Sequence, residues 1–111
     1  MAFTSRSVSL SWAPALDNNN SPIQQYIIKI RQGEDTSWGD SNMVETGNNR
    51  TVFTVTDLHP FTVYSFKIIA VNGMGRSLES KESYYMITLR EGDFPCLFFH
   101  LPFYLYHLYK L

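Results

Sequence analysis

Residues 58–72 read LHPFTVYSFKIIAVN, and the stretch from Leu58 to Tyr64 decides the fold. A Leu, a Pro and a Tyr at this spacing match the tyrosine corner of a β-sandwich, where the ring is buried at the start of a strand and its hydroxyl bonds backbone a few residues upstream. After the corner, Tyr64, Phe66, Ile68 and Ala70 form one row of a strand of period two, and the predicted strand turns that row inward. The opposite row carries Val63, Ile69 and Val71 beside Ser65 and Lys67, more apolar than a fully wet face requires. Two readings stand: cross-strand packing of β-branched residues, or a contact surface for a neighbouring domain or partner.

The same alternation recurs on both sides of the corner. Val8, Leu10 and Trp12 interleave with Ser7, Ser9 and Ser11, and Pro14 ends that strand. DNNNSP (17–22) collects turn formers. Tyr26, Ile28 and Ile30 then make the inward row of a second strand, with Gln25, Lys29 and Arg31 outward. A polar connection, GEDTSWGDSN (33–42), contains Trp38 and leads to a short strand around Met43 to Thr46. Gly47, Asn48 and Asn49 turn the chain, Phe53 and Val55 face inward, NGMGRS (72–77) is a Gly-rich turn, and Tyr84 to Leu89 is the last strand. Closely spaced strands with no amphipathic helix predict an all-β fold. Its predicted core is Trp12, Tyr26, Phe53, Leu58, Tyr64, Phe66 and Ile68.

The 111 residues, 44% of them hydrophobic, suffice for one domain and one core. A formal net charge of -1, with Lys and Arg scattered, leaves no electrostatic footprint for nucleic acid or anionic lipid. The single cysteine, Cys96, has no internal disulfide partner, so cysteine usage does not identify the compartment. MAFTSRSVSLSW lacks the apolar run of a secretory signal.

Taken together, SVSLSW with Trp12, SPIQQYIIKI with Tyr26, the corner strand, Asn72, Gly75, Ser80 and Thr88 resemble a fibronectin type III domain over Ser7 to about Leu89. The resemblance implies an immunoglobulin-like sandwich of two sheets, ABE and the C, C′, F and G group. PFTVYSFKIIAVNGMGRS is similar to repeats of neuronal adhesion proteins and receptors of the immunoglobulin superfamily, and SPIQQY to repeats of giant muscle proteins. It further implies a non-catalytic spacer and protein-binding module, with other proteins and adjacent domains as partners, on the extracellular face of the plasma membrane in a longer parent. An intracellular scaffold of muscle or cytoskeletal type is the alternative.

Two departures from the family pattern stand out. Met1 to Ser5 are too few to supply the usual first strand, which predicts an open edge on the strand that follows. The missing export signal and this short start suggest a fragment or variant of a longer protein. The domain is therefore drawn over residues 1–91, truncated at its first strand, with residues 92–111 as a hydrophobic, aromatic tail outside the family pattern. As a helix, Phe94 to Leu111 would reach about 27 Å against roughly 30 Å of hydrocarbon, and Pro95 and Pro102 interrupt it, so a membrane-attached fragment is the weaker reading. The preferred reading is translated intron sequence, because codons for Gly92 and Asp93 are compatible with a splice donor where the domain ends.

No catalytic or cofactor-binding constellation is visible. His59 falls in the corner, while His100 and His107 fall in the tail, with no nucleophile and base placed together. Cys96, His100 and His107 lack both a fourth ligand and the spacing of a zinc site. The glycines of NGMGRS join two predicted strands and are not followed by the helix and Lys of a phosphate-binding loop. Asn49-Arg50-Thr51 and Asn19-Asn20-Ser21 meet the acceptor rule for N-glycosylation; Asn49 is the better candidate, since Pro22 disfavours modification of Asn19. The loops around Asn18 and Met74 and the face bearing Val63, Ile69 and Val71 are the expected contact regions.

Overall fold

A computed structural model describes residues 3–14, 21–34, 38 and 42–92. In chain order its strands are β1 (Val8–Ser11), β2 (Ile23–Gln32), β3 (Met43–Glu45), β4 (Val52–Val55), β5 (Val63–Asn72), β6 (Gly75–Arg76) and β7 (Met86–Ile87). β1 and β4 form one antiparallel sheet, with Val8 opposite Val55 and Leu10 opposite Phe53. The other sheet runs β3-β2-β5-β6, and β7 also pairs with β5. In its centre Ile28 faces Ile68 and Ile30 faces Phe66.

The inward rows of both sheets make the core. Phe66, Ile68 and Ala70 have no exposed surface, and Tyr26 and Leu10 are buried almost as completely. Trp12 meets Tyr26 edge-on, with ring centroids 5.3 Å apart at 72°, the arrangement that places one ring's positive edge against the other's negative face. Tyr64 stacks on Phe66 at 6.5 Å. Leu58 is buried, whereas Phe53 is half-buried at the margin of the cluster.

The corner has the geometry its sequence requires. The Tyr64 hydroxyl accepts a 2.7 Å bond from the His59 backbone N–H. Thr88 Oγ1 donates to the His59 carbonyl at 2.6 Å and accepts from Thr62 N–H at 2.9 Å, so β7 is latched to the corner from the other side. The reversal between β4 and β5 uses left-handed backbone at Asp57 (φ 59°) and Phe61 (φ 46°). Asp tolerates this conformation; a bulky Phe adopts it only where surrounding bonds hold it. Here the Phe61 N–H donates to Leu89 O at 3.0 Å, and the Arg90 guanidinium lies 4.6 Å from the Phe61 ring centre.

One expectation gains a detail and two need revision. Residues 3–7 do not form a first strand, but neither are they idle: Thr4 N–H bonds Ser7 O at 2.9 Å, and the turn carries Phe3 back to bridge Val8 and bury its ring in the core. Beyond that bridge no described strand pairs with the far edge of β1. NGMGRS is a two-stranded hairpin containing β6, because Asn72 pairs with Gly75, whose φ of +133° suits glycine. The last strand shrinks from Tyr84–Leu89 to Met86–Ile87, because residues 77–85 dock by a pattern other than a ladder. The calls on Asn18, Asn19, Cys96, His100, His107 and the tail from residue 93 onward lie outside the described residues.

Candidate functional site

The outer face of the larger sheet concentrates charge and aromatic surface. Antiparallel register places Lys29 opposite Lys67 and Arg31 opposite Ser65, so cations on adjacent strands stand side by side. Like charges directly opposed destabilise a sheet unless counter-charges reach them. SLESKESYY (77–85) supplies those counter-charges.

This segment consists of three triplets, SLE, SKE and SYY, each docked by its serine. The N–H groups of Ser77, Ser80 and Ser83 donate to the carbonyls of Ala70, Ile68 and Phe66 at 2.8–2.9 Å. In return the N–H groups of Ala70, Ile68 and Phe66 donate to the hydroxyls of the same serines, each at 2.9 Å. Each hydroxyl also donates to the carbonyl of the next residue, Leu78, Lys81 or Tyr84. In an ordinary ladder a backbone carbonyl would accept the strand's N–H; here a hydroxyl takes that place. One residue therefore satisfies the edge-directed backbone N–H and carbonyl of each inward-row residue Phe66, Ile68 and Ala70, and two residues per triplet are released to the surface.

The third residue of each triplet reaches over the sheet. Glu79 Oε1 lies 3.2 Å from Lys29 Nζ, and its other oxygen lies 3.3 Å from Lys67 Nζ. Glu82 pairs with Arg31 at 3.1 Å and accepts from Trp38 Nε1 at 3.3 Å. Tyr85 accepts a 3.0 Å bond from Arg31. The Trp38 ring engages two cations, with Arg31 4.9 Å and Lys67 4.7 Å from its ring centre, while Arg31 also sits 5.6 Å from the Tyr85 ring. Lys67, Trp38, Arg31 and Tyr85 thus form a linked cation–aromatic cluster on the face. The middle residues of the first and last triplets, Leu78 and Tyr84, are 69% and 56% exposed.

Of the outward apolar row, Ile69 is buried while Val63 and Val71 are half-buried. Beside Ile69 lies an open cleft of 650 Å³, lined by the cations Lys29, Lys67 and Arg76, the apolar Met43 and Leu78, and Glu79. Burial works against the charged form of Glu79, but the Lys29 and Lys67 ammoniums outweigh it and hold the carboxyl below the usual carboxylate range. A carboxyl whose folded pKa is depressed adds stability above its unfolded pKa and loses it as pH falls through the folded one. Denaturant midpoints followed from neutral into the acid range should therefore fall less steeply for Glu79→Gln than for the parent. Parallel curves would exclude a role for this carboxylate.

His59 is exposed in the corner, and its backbone, not its ring, engages Tyr64 and Thr88. Among the described residues no group of three or more His, Cys, Asp or Glu is placed to hold a metal ion. No helix there is long and apolar enough to cross a membrane. Met74 is exposed at the tip of the β5–β6 hairpin, and Asn49 is exposed in the bend before β4. Sequence reading missed the triplets, whose signal is a serine every third residue from 77 to 83. It also passed over Trp38, whose partners come from three separate segments.

A family model for the fibronectin type III domain matches residues 1–85. The chain belongs to the fibronectin type III family. It is 50% identical over 92 residues to a putative receptor-type tyrosine-protein phosphatase, mosPTP-1, of Aedes aegypti, a match covering 83% of this chain and 7% of that protein. Against the cell adhesion molecule Dscam1 of Drosophila melanogaster it is 38% identical over 87 residues, 78% of this chain and 4% of the other. Among solved structures it superposes on the FN1–FN3 domains of chicken CNTN1 with a TM-score of 0.65 at 30% identity, over 78% of this chain and 29% of that one. The chain thus spans less than a tenth of the length of these two curated relatives. What it shares with them is a fibronectin type III repeat, a non-catalytic module.

Proposed function

We propose that this chain is one repeat of a cell-surface adhesion or receptor protein and serves there as a spacer and protein-binding module. The observation that carries the reading is the match to repeat regions of a receptor-type protein and of an adhesion molecule, at identities well above what a shared fold alone requires. The outer face of the larger sheet is the binding surface: its aromatic and cationic side chains are held in place by Glu79, Glu82 and the serine triplets on a rigid frame. Other proteins are the partners, and the domain faces the outside of the cell.

Location is tested in the parent protein. On intact cells a membrane-impermeant label should reach it, and the repeat should carry an N-glycan at Asn49, which is exposed and followed by Arg50 and Thr51. Glycosidase treatment should then speed its migration on a gel, and Asn49→Gln should abolish that change. A parent that is protected from the label and carries no glycan would be an intracellular scaffold, and the proposal would fall.

A further inference from the structure

We propose that the cleft beside Ile69 receives an acidic side chain of a protein partner, an Asp or Glu followed closely by an apolar residue. Lys29, Lys67 and Arg76 bring three cations to the cleft, and Glu79 is the carboxylate lining it. Glu79 engages both lysines and the Arg76 side chain on β6 is exposed, so the lining carries three cations against one carboxylate. A second carboxylate arriving there meets an excess of charge of the opposite sign, which favours both encounter and register.

The apolar lining distinguishes among anionic occupants. Met43 and Ile69 line the cleft from the sheet, and Leu78, 69% exposed, stands at its rim. A sulfated glycan presents no apolar surface to cover these groups, whereas a peptide carrying a Glu next to a Leu covers them and pairs with the cations at once. At 650 Å³ and open to solvent, the cleft suits a pair of side chains from a larger surface. Glu79, the third residue of the first triplet, already pairs with both lysines and competes with any incoming carboxylate. Its removal should therefore strengthen binding, a result that a purely structural ion pair would not give.

The inference rests on the protein-binding reading but is tested apart from it. The full chain, isotopically labelled, would be titrated with a short blocked peptide of alternating Glu and Leu, with its Gln-for-Glu counterpart, and with a heparin oligosaccharide. The acidic peptide should shift the amides of residues 29, 43, 67, 69 and 76–80 and bind roughly tenfold more tightly than the Gln peptide. Arg76→Glu, at an exposed position, should weaken it about threefold to fivefold, and Glu79→Gln should tighten it. Arg76→Gln, which adds no new charge, provides a second reading if the reversal disturbs folding. Equal binding of both peptides, preference for heparin, absence of shifts at these amides, or weaker binding by Glu79→Gln would each overturn the proposal. None of these results bears on where the parent resides, and labelling of the parent says nothing about the cleft.

Discussion

Tyr64→Ala is expected to remove about 3–5 kcal/mol of stability, a large share of the roughly 5–15 kcal/mol typical of such a domain. The side chain is 2% exposed and stacks on Phe66, so truncation opens a cavity beside the centre of the core. It also strips the His59 N–H of its acceptor at the point where the chain reverses into β5. Tyr64→Phe separates the two contributions. It keeps the ring, loses the hydroxyl, and should cost about 1–2 kcal/mol, the range for leaving a part-buried donor unpaired. Urea unfolding of both variants reads the difference. A Phe variant as damaged as the Ala variant would mean that the hydroxyl, not the ring, holds the corner; a Phe variant equal to the parent would mean that water replaces the bond at no cost.

Simultaneous replacement of Ser77, Ser80 and Ser83 by alanine is the second change of large effect. Each hydroxyl is the acceptor for a backbone N–H of β5, and those at Phe66 and Ile68 are buried. An orphaned buried donor costs about 1–3 kcal/mol. Ser77 is less deeply placed, so the three together should cost roughly 3–6 kcal/mol. Single substitutions should rank Ser80 and Ser83 above Ser77. Hydrogen exchange gives the local reading: amides of residues 66, 68 and 70 should lose protection while Ile28 and Ile30 on β2 keep theirs. If the triple variant costs less than about 1 kcal/mol, the segment has slid into an ordinary ladder and the triplets are dispensable.

The residues that sequence reading placed well are those governed by a period and by local chemistry. Val8, Leu10 and Trp12, the inward rows of β2 and β5, and the Tyr64 corner are all specified by near neighbours in the chain. Their burial follows from alternation alone. Phe53 obeys the same alternation but lies on β4, whose described strand partner is β1 alone, and packs half-buried against the margin of the core. The triplets escaped because a serine every third residue matches neither strand nor helix, and hydroxyls that replace carbonyls leave no hydrophobic trace. The Lys67–Trp38–Arg31–Tyr85 cluster depends on the register of β2 against β5 and on contacts between residues far apart in the chain, neither of which is written in any one stretch. Phe3 escaped because a residue of an apparently missing strand turned out to fill the core through a tight turn.

The turn at residues 3–7 bears on how a pull on either end would pass through the module. Leu89 N–H bonds Thr4 O at 3.2 Å and Arg6 pairs with Glu91 at 3.4 Å, so the two ends of the described domain lie side by side at one pole. A polypeptide leading straight away from Phe3 would enter and leave at that pole, leaving the sandwich as a pendant side branch through which no pull passes. The antiparallel bridge instead sets Phe3 beside Val8 with its backbone running counter to β1. A polypeptide following that course would enter at the far pole and place the whole sandwich in series with its neighbours. The same core is thus either a bead on a tether or a link in a chain, according to the path taken by a few residues along the edge of one short strand.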